Sequence, residues 1–269
     1  MLAIAQTNIV ITKMKELYPE DTFEIEIIKT TGDKNPNVAI DKLGARGAFT
    51  DEIEKNLLEG RIDLAVHSMK DMPVEIDERL VFSKALKRED PRDVLICREA
   101  RGLNELKKGA IIATCSKRRA FQLLKLRPDI EIVDIRGNID TRLRKLNEPM
   151  ADGRYMDGII LAAAGLHRLQ LKDRITQYFS VWEVVPSPCQ GILAVELRAD
   201  NKKLLDKLNR LSDEDTQRAA EAEREFLRKT GGNCHLPIGA YLDTDNQILH
   251  SLFGNEDGSF LDIKRERYE

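Results

Sequence analysis

Short apolar runs of strand character alternate along the chain with stretches whose apolar residues recur at helical spacing, and a polar or glycine-bearing turn separates them. Phe23 to Lys29 predicts a strand, Thr50 to Leu58 a helix, and Asp63 to Val66 a strand ending in the polar loop HSMKD. The cycle repeats downstream. Ala110 to Thr114 predicts a strand, Ser116 an N-cap, and the residues through Leu126 a helix. Ile130 to Ile135 leads through RGN into a helix from about Ile139, and Asp157 to Leu161 leads into AAAGLHRL. Strands alternating with helices predict an α/β fold with a mainly parallel sheet covered on both faces. In such sheets ligands gather beyond the carboxyl ends of the strands, where helix N-termini present unpaired N–H groups. The polar loops fall at those ends. Ser116, Arg118 and Arg119 follow one strand, Arg136 the next, Arg142 stands on the helical turns beyond it, and Arg168 follows the strand at 157–161.

Two proline-bearing stretches punctuate this pattern. KREDPRD (87–93) and VVPSPCQG (184–191) read as crossings out of a first domain and back into it. They predict a discontinuous α/β domain of residues 1–88 and 190–210 with a second α/β domain, 89–189, inserted into it. Helices are expected over Asp200 to Leu211 and Glu214 to Lys229, and Ala240 to Phe253 carries strand-like runs. Residues 211–269 therefore predict a small third domain of α+β type.

Composition narrows the function classes. No run of eighteen apolar residues and no basic leader with an apolar stretch is visible, so a soluble, cytoplasmic protein is expected, with no membrane contact. Cys97, Cys115, Cys189 and Cys234 are scattered, which argues against a zinc knuckle or a disulfide framework; no metal is expected. The net charge of −3 gives no general attraction to nucleic acid, yet residues 117–145 hold nine cations against four anions. A local cationic surplus at strand ends is what an anionic small molecule requires.

The segment GGNCHLPIG (231–239) adds a different chemistry. Glycine and asparagine tolerate positive φ and proline fixes the exit direction, so this turn can present the Cys234 thiol outward as a nucleophile. Cys97, Cys115 and Cys189 read as packing cysteines, and His235 as an exposed turn residue beside the presented thiol. His67 reads as ordering the HSMKD loop, and Glu75, Glu89 and Asp93 as loop and interdomain contacts. Phe49, opening a helix after GARGA, is open to simple packing or to stacking on a ring.

Taken together, FTDEIEKNLLEGRIDLAVHSMKDMP (49–73), KREDPRDVLI (87–96), TCSKRRAFQL (114–123), IRGNIDTRLRKL (135–146), AAAGLHRL (162–169) and GGNCHLPIG (231–239) closely resemble the porphobilinogen deaminase (hydroxymethylbilane synthase) family. The order of these motifs is more specific than any one of them. The resemblance implies two α/β domains like type II periplasmic binding proteins plus a small α+β C-terminal domain, in a monomer. It implies a dipyrromethane cofactor joined to Cys234 by a thioether, and a transferase that deaminates four porphobilinogen molecules, couples them head to tail onto that cofactor and releases linear hydroxymethylbilane for tetrapyrrole and haem biosynthesis. Each pyrrole carries an acetate and a propionate, so the fully extended chain brings about a dozen negative charges, which arginine forks bind bidentately. By motif match Arg118, Arg119, Arg136, Arg142 and Arg168 hold these side chains, helped by Ser68, Lys70, Lys42, Arg46, Thr114 and Ser116, with Phe49 near the rings. Asp71 is the matching catalytic carboxylate, facing the azafulvenium cation left when ammonia departs. The resemblance also implies a strand and turn bearing an Arg and a Ser ahead of Leu2, and a helix after Glu269. Asn233 stands where the family has glycine, Lys117 at a place usually apolar, and the 148–153 loop is enlarged. A two-lobed anion-binding receptor is the competing reading, and Asp71 with Cys234 separates the two, because a receptor needs neither.

Overall fold

In the computed structural model, which describes residues 1–28, 30, 50–232 and 236–268, the chain divides into two compact units, residues 1–89 with 192–221 and residues 90–191 with 222–269. It opens with helix α1 (Leu2–Leu17) and, after the segment around 31–49, helix α2 (Asp51–Leu58). Strand β1 (Leu64–Ser68) runs into a 3₁₀ turn at Met69–Asp71, and β2 (Leu80–Phe82) and β3 (Asp93–Cys97) follow. Next come β4 (Ile111–Ala113), α3 (Lys117–Leu126), β5 (Glu131–Val133), α4 (Ile139–Lys145), β6 (Gly158–Ala162), α5 (Ala163–Arg168) and β7 (Gln177–Tyr178). The chain closes with β8 (Leu193–Arg198), α6 (Lys202–Asn209), α7 (Glu214–Lys229), β9 (Gly239–Asp243), β10 (Ile248–Gly254) and β11 (Leu261–Arg267).

The sheet of the first unit has the order β1-β8-β2, and both pairings are antiparallel. Alternation along β8 decides what covers each face. Leu193, Val195 and Leu197 pack with Val10 and Met14 of α1 and Leu208 of α6. Ala194 and Glu196 turn the other way, where Glu196 pairs in register with Ala65 of β1, which packs against Leu57 of α2 and Leu80. Helix α1 presents Gln6, Val10 and Met14 inward at four-residue spacing. It ends before Pro19, whose ring pushes Tyr18 out of the helical region to φ −134°.

The larger sheet of the second unit has the order β5-β4-β6-β3-β7 and carries a hydrophobic cluster on each face. Along β3, Val94 and Ile96 join one cluster while Leu95 and Cys97 join the other, so the strand is buried throughout. Helices α4 and α5 supply Leu143 and Leu166 to the first cluster, and α3 supplies Leu123 to the second. A separate antiparallel sheet, β11-β10-β9, belongs to this unit as well.

Two expectations are corrected. Phe23–Ile28 is not a strand: no ladder reaches it among the described residues, and without a neighbour an extended segment leaves its backbone groups to water. Nor are the sheets mainly parallel. Among the described residues only β4 with β5 and β4 with β6 run parallel, because β8 returns against both β1 and β2, and β3 enters its sheet antiparallel to β6. The covered α/β architecture survives this change.

Candidate active site

In the first unit, β1 delivers the HSMKD segment to the end of its sheet. The Met69 N–H donates to the Ile192 carbonyl at 3.0 Å, and Met69 and Met72 are buried beneath the turn. These two apolar anchors leave the polar residues between and before them to face outward. Asp71 is exposed, Ser68 and Lys70 are half-buried, and Gln6 on α1 donates from Nε2 to Ser68 Oγ at 2.8 Å. One residue earlier, His67 Nε2 lies 3.1 Å from Glu196 Oε2, with both side chains buried.

In the second unit, three strand-to-helix junctions leave the carboxyl ends of adjacent parallel strands β5, β4 and β6. They gather seven of the residues singled out by sequence along one sheet edge. At the β4–α3 junction Thr114 Oγ1 accepts from the Ser116 N–H at 3.1 Å, and Ser116 Oγ caps α3 by accepting from the Arg119 N–H. Two arginines of the first helical turn carry the charge of the junction. Arg118 and Arg119 are 5% and 7% exposed and both bind Asp93, at 2.6 Å from Arg118 Nη1 and 2.7 Å from Arg119 Nη2. Arg118 also donates to the Val185 carbonyl and Arg119 to that of Ile160.

The charge balance of this group is its main feature. Two guanidiniums with little solvent exposure meet one carboxylate, and among the described residues no second anion pairs with them. Burial alone would raise the Asp93 carboxyl, but Arg118 and Arg119 outweigh it and hold it far below the usual carboxylate range. Burial pulls Arg118 below its ordinary value, and Asp93 with Arg119 opposite in sign beside it does not restore it. An anionic group arriving here meets a charge already desolvated. Asp93 is thus not the interdomain contact expected from the sequence: it opens β3 inside the second unit and anchors both arginines.

At the β5–α4 junction Asn138 caps α4 by accepting from the Thr141 N–H at 2.9 Å. Gly137 has φ +113°, and a Cβ there would lie 2.6 Å from the Thr141 side chain, so only glycine fits the RGN turn. The same turn turns its carbonyl to Arg142, whose Nε donates to it at 2.7 Å, while Arg136 stands half-buried beside it. At the end of α5, Arg168 Nη2 donates to the Gly191 carbonyl at 2.6 Å. Cys115 ties the first two junctions together through an S–H donated to the Ile135 carbonyl at 3.0 Å. It is exposed, which corrects the expectation that it packs in a core, whereas Cys97 and Cys189 are buried as expected. Lys117 pairs with Glu256 at 2.8 Å. Lys42, Arg46, Phe49 and the Cys234 turn with Asn233 and His235 lie outside the described residues.

Residues 1–206 match the family model described as "Porphobilinogen deaminase, dipyromethane cofactor binding domain", and residues 217–267 match "Porphobilinogen deaminase, C-terminal domain". The porphobilinogen deaminase of Lachnospira eligens is 54% identical over 96% of this chain and 88% of its own length. The chain belongs to the porphobilinogen deaminase family. A second member, from Clostridioides difficile, is 48% identical over 98% of this chain and 87% of its own. Among solved structures the chain is similar to a nutrient-binding protein from Burkholderia cenocepacia bound to methionine, with a TM-score of 0.46 and 13% identity over 85% of this chain and 94% of that one. Family membership makes the chain an enzyme. The dipyrromethane cofactor that the family binds carries carboxylates, and the buried charge of Arg118 and Arg119 suits one of them.

Sequence reasoning missed Glu196 and the anchoring role of Asp93. Glu196 was legible as a lone acid at an inward position in the apolar run ILAVELR.

Proposed function

We propose that this chain is a hydroxymethylbilane synthase, a transferase that deaminates four porphobilinogen molecules and joins them head to tail into the linear tetrapyrrole. The observation that carries the reading is the buried pair of guanidiniums sharing one carboxylate at the carboxyl end of a parallel strand. Arg118 and Arg119 each keep donors beyond those spent on Asp93, and the fork geometry of the guanidinium matches a carboxylate. They hold an acetate or propionate, with Thr114 and Ser116 beside them. Arg136, Arg142 and Arg168 take further carboxylates of the growing chain along the same sheet edge. In the first unit Ser68 and Lys70 bind, and Asp71 is the catalytic carboxylate. As porphobilinogen loses its amine as ammonia, positive charge develops on the remaining pyrrole, and the exposed Asp71 carboxylate stabilises it and accepts hydrogen bonds from pyrrole N–H groups. When bound, the dipyrromethane would supply the free pyrrole carbon to which the first unit is added.

The attachment point is Cys234, with Lys42, Arg46 and Phe49 as further contacts. We assign residues 1–88 with 190–210, 89–189 and 211–269 as three domains, and place the enzyme in the cytoplasm as a monomer. Intact mass spectrometry tests the central claim. The purified protein carries the added mass of a dipyrromethane, and Cys234→Ser carries none; a wild-type protein that stays at its polypeptide mass after incubation with porphobilinogen ends the reading.

A further inference from the structure

Glu196 is a fully buried acid at an inward position of β8, on the face where Leu57, Ala65 and Leu80 pack. A carboxylate at such a place costs several kcal/mol of desolvation, and an apolar residue of similar size commonly serves stability as well or better. Its satisfaction is also incomplete. Oε2 meets His67 Nε2 at 3.1 Å, while Oε1 is buried with no hydrogen-bond partner among the described residues. The contact must therefore be explained by something other than stability.

Its position supplies the explanation. Glu196 stands opposite Ala65 and His67 opposite Ala194, so the side-chain bond runs diagonally across the β1–β8 ladder, one pleat from each residue's own partner. A diagonal bond opposes both sliding of β1 along β8 and rotation of its last residues. Only Ser68 separates His67 from the turn that carries Lys70 and Asp71, a turn to which the Met69 N–H bond to Ile192 and the Gln6 bond to Ser68 also contribute. Glu54, on α2, lies in the field of the same Glu196 carboxylate and is perturbed by His67 as well. Helix α2 starts directly after the segment that bears Lys42, Arg46 and Phe49. One buried acid thus bonds to the residue before the Ser68–Asp71 turn and acts electrostatically on helix α2.

We propose that Glu196 is a positioning residue for the reaction: through His67 it fixes the Ser68–Asp71 turn at the end of β1, so that the Asp71 carboxylate is held where the positive charge develops. The inference rests on the role of Asp71 stated above. Misplacement of a reacting group by about an ångström lowers turnover by up to about 100-fold without weakening ground-state binding.

The test is steady-state turnover of porphobilinogen by the cofactor-loaded enzyme. Glu196→Leu removes the bond and replaces the acid by an apolar side chain of similar reach; kcat is expected to fall about 10- to 100-fold with KM within about 3-fold. Glu196→Gln keeps an oxygen that accepts from His67 and is expected to recover most of the lost turnover. The same contrast is expected between His67→Leu and His67→Gln, whose amide still donates to Glu196, and this pair decides the matter if Glu196→Leu does not fold. Glu196→Leu at the wild-type kcat, a rise in KM alone, or equal losses in the Leu and Gln variants overturns the proposal. Asp71→Asn, measured alongside, separates the two layers. Turnover that survives in Asp71→Asn removes the role of Asp71, whereas a silent Asp71→Asn beside a fully active Glu196→Leu removes only the role of Glu196.

Discussion

Each unit buries a cluster of charge, and the two lean in opposite senses. In the first, Glu196 bonds His67 and its charge acts on the half-buried Glu54; in the second, Arg118 and Arg119 share a single carboxylate, Asp93. The cationic cluster lies directly on a strand-to-helix junction, where its surplus can be met by an arriving anion. The acidic cluster lies one layer behind the Ser68–Asp71 turn, on an apolar face, where burial and then the Glu196 charge raise the Glu54 carboxyl. The same physics, a charge desolvated without full compensation, underlies the binding role proposed for one unit and the supporting bond proposed for the other. What distinguishes them is access. Arg118 and Arg119 occupy the first turn of α3, at the mouth of the sheet, whereas Glu196 is wholly enclosed.

Removing the counter-charge of the cationic cluster is the most severe way to break this comparison. Asp93→Asn leaves two buried guanidiniums with no anion, and the loss is expected to be roughly 3–5 kcal/mol in urea unfolding at neutral pH. Wild-type stability also depends on the ionised Asp93. Because its folded carboxyl titrates far below the unfolded one, the stabilisation is present above the unfolded value and is lost as pH falls below about 4, toward the folded value. Equal stability of Asp93→Asn and wild type at pH 7 would mean that the arginines are balanced by something else.

The anchoring Asp93 shows where sequence reading stops. Helices α2, α3, α4 and α7 and the junctions between strands and helices follow from periodicity and capping residues, because these are local properties. The arginines of those junctions were legible for the same reason. Asp93 lies 25 residues from Arg118 in sequence, and only the antiparallel entry of β3 beside β6 brings it beneath α3. Strand direction is set by long-range pairing, which also explains why the sheets are less parallel than the alternating pattern predicts. Helix α1 escaped notice because Ile4, Ile9, Ile11 and Leu17 stand around its axis and blur the stripe formed by Val10 and Met14. Strand β11 escaped because it is an edge strand, largely exposed and rich in charge. The segment at Phe23 shows the reverse failure, a strand-like composition that joins no ladder among the described residues.

A second unbalanced group sharpens the contrast through pH. His250 is 2% exposed, stands edge-on to Trp182 with ring centroids 3.9 Å apart, and has an unpartnered Nε2. Burial, and then the Arg265 charge, pulls its pKa down to about 4, against a smaller opposing pull from Asp243. The unfolded chain therefore takes up a proton below about pH 6.5 that the folded chain refuses until about pH 4. Stability is fully present above that window and falls across it as the solution is acidified, by on the order of 2 kcal/mol. His250→Phe, which keeps the contact with Trp182, is expected to flatten the dependence between pH 6.5 and 4, as read from urea midpoints. An unchanged slope in the variant would assign the acid sensitivity elsewhere.

The acidic cluster predicts the opposite slope, and this is the finest test of the comparison. Glu54 has its pKa raised first by burial and then by the Glu196 charge, while Thr50 and His67 pull the other way and Asp51 adds to the rise. A carboxyl raised on folding favours the folded state at low pH, and that contribution is lost as pH climbs through the folded value. At neutral pH the ionised Glu54 is therefore a burden that Glu54→Gln removes while keeping a side-chain partner for Thr50. The variant is expected to be more stable than wild type by on the order of 0.5–1 kcal/mol at pH 7, after allowance for solvent screening, with the difference vanishing near pH 4. Helix α2 is short and held chiefly through Ile53, Leu57 and Leu58, so a gain of this size is measurable against its packing. A loss of stability at pH 7, or a gain independent of pH, would mean that Glu54 is paired rather than repelled, and that the first unit does not carry the acidic surplus that sets it apart from the second.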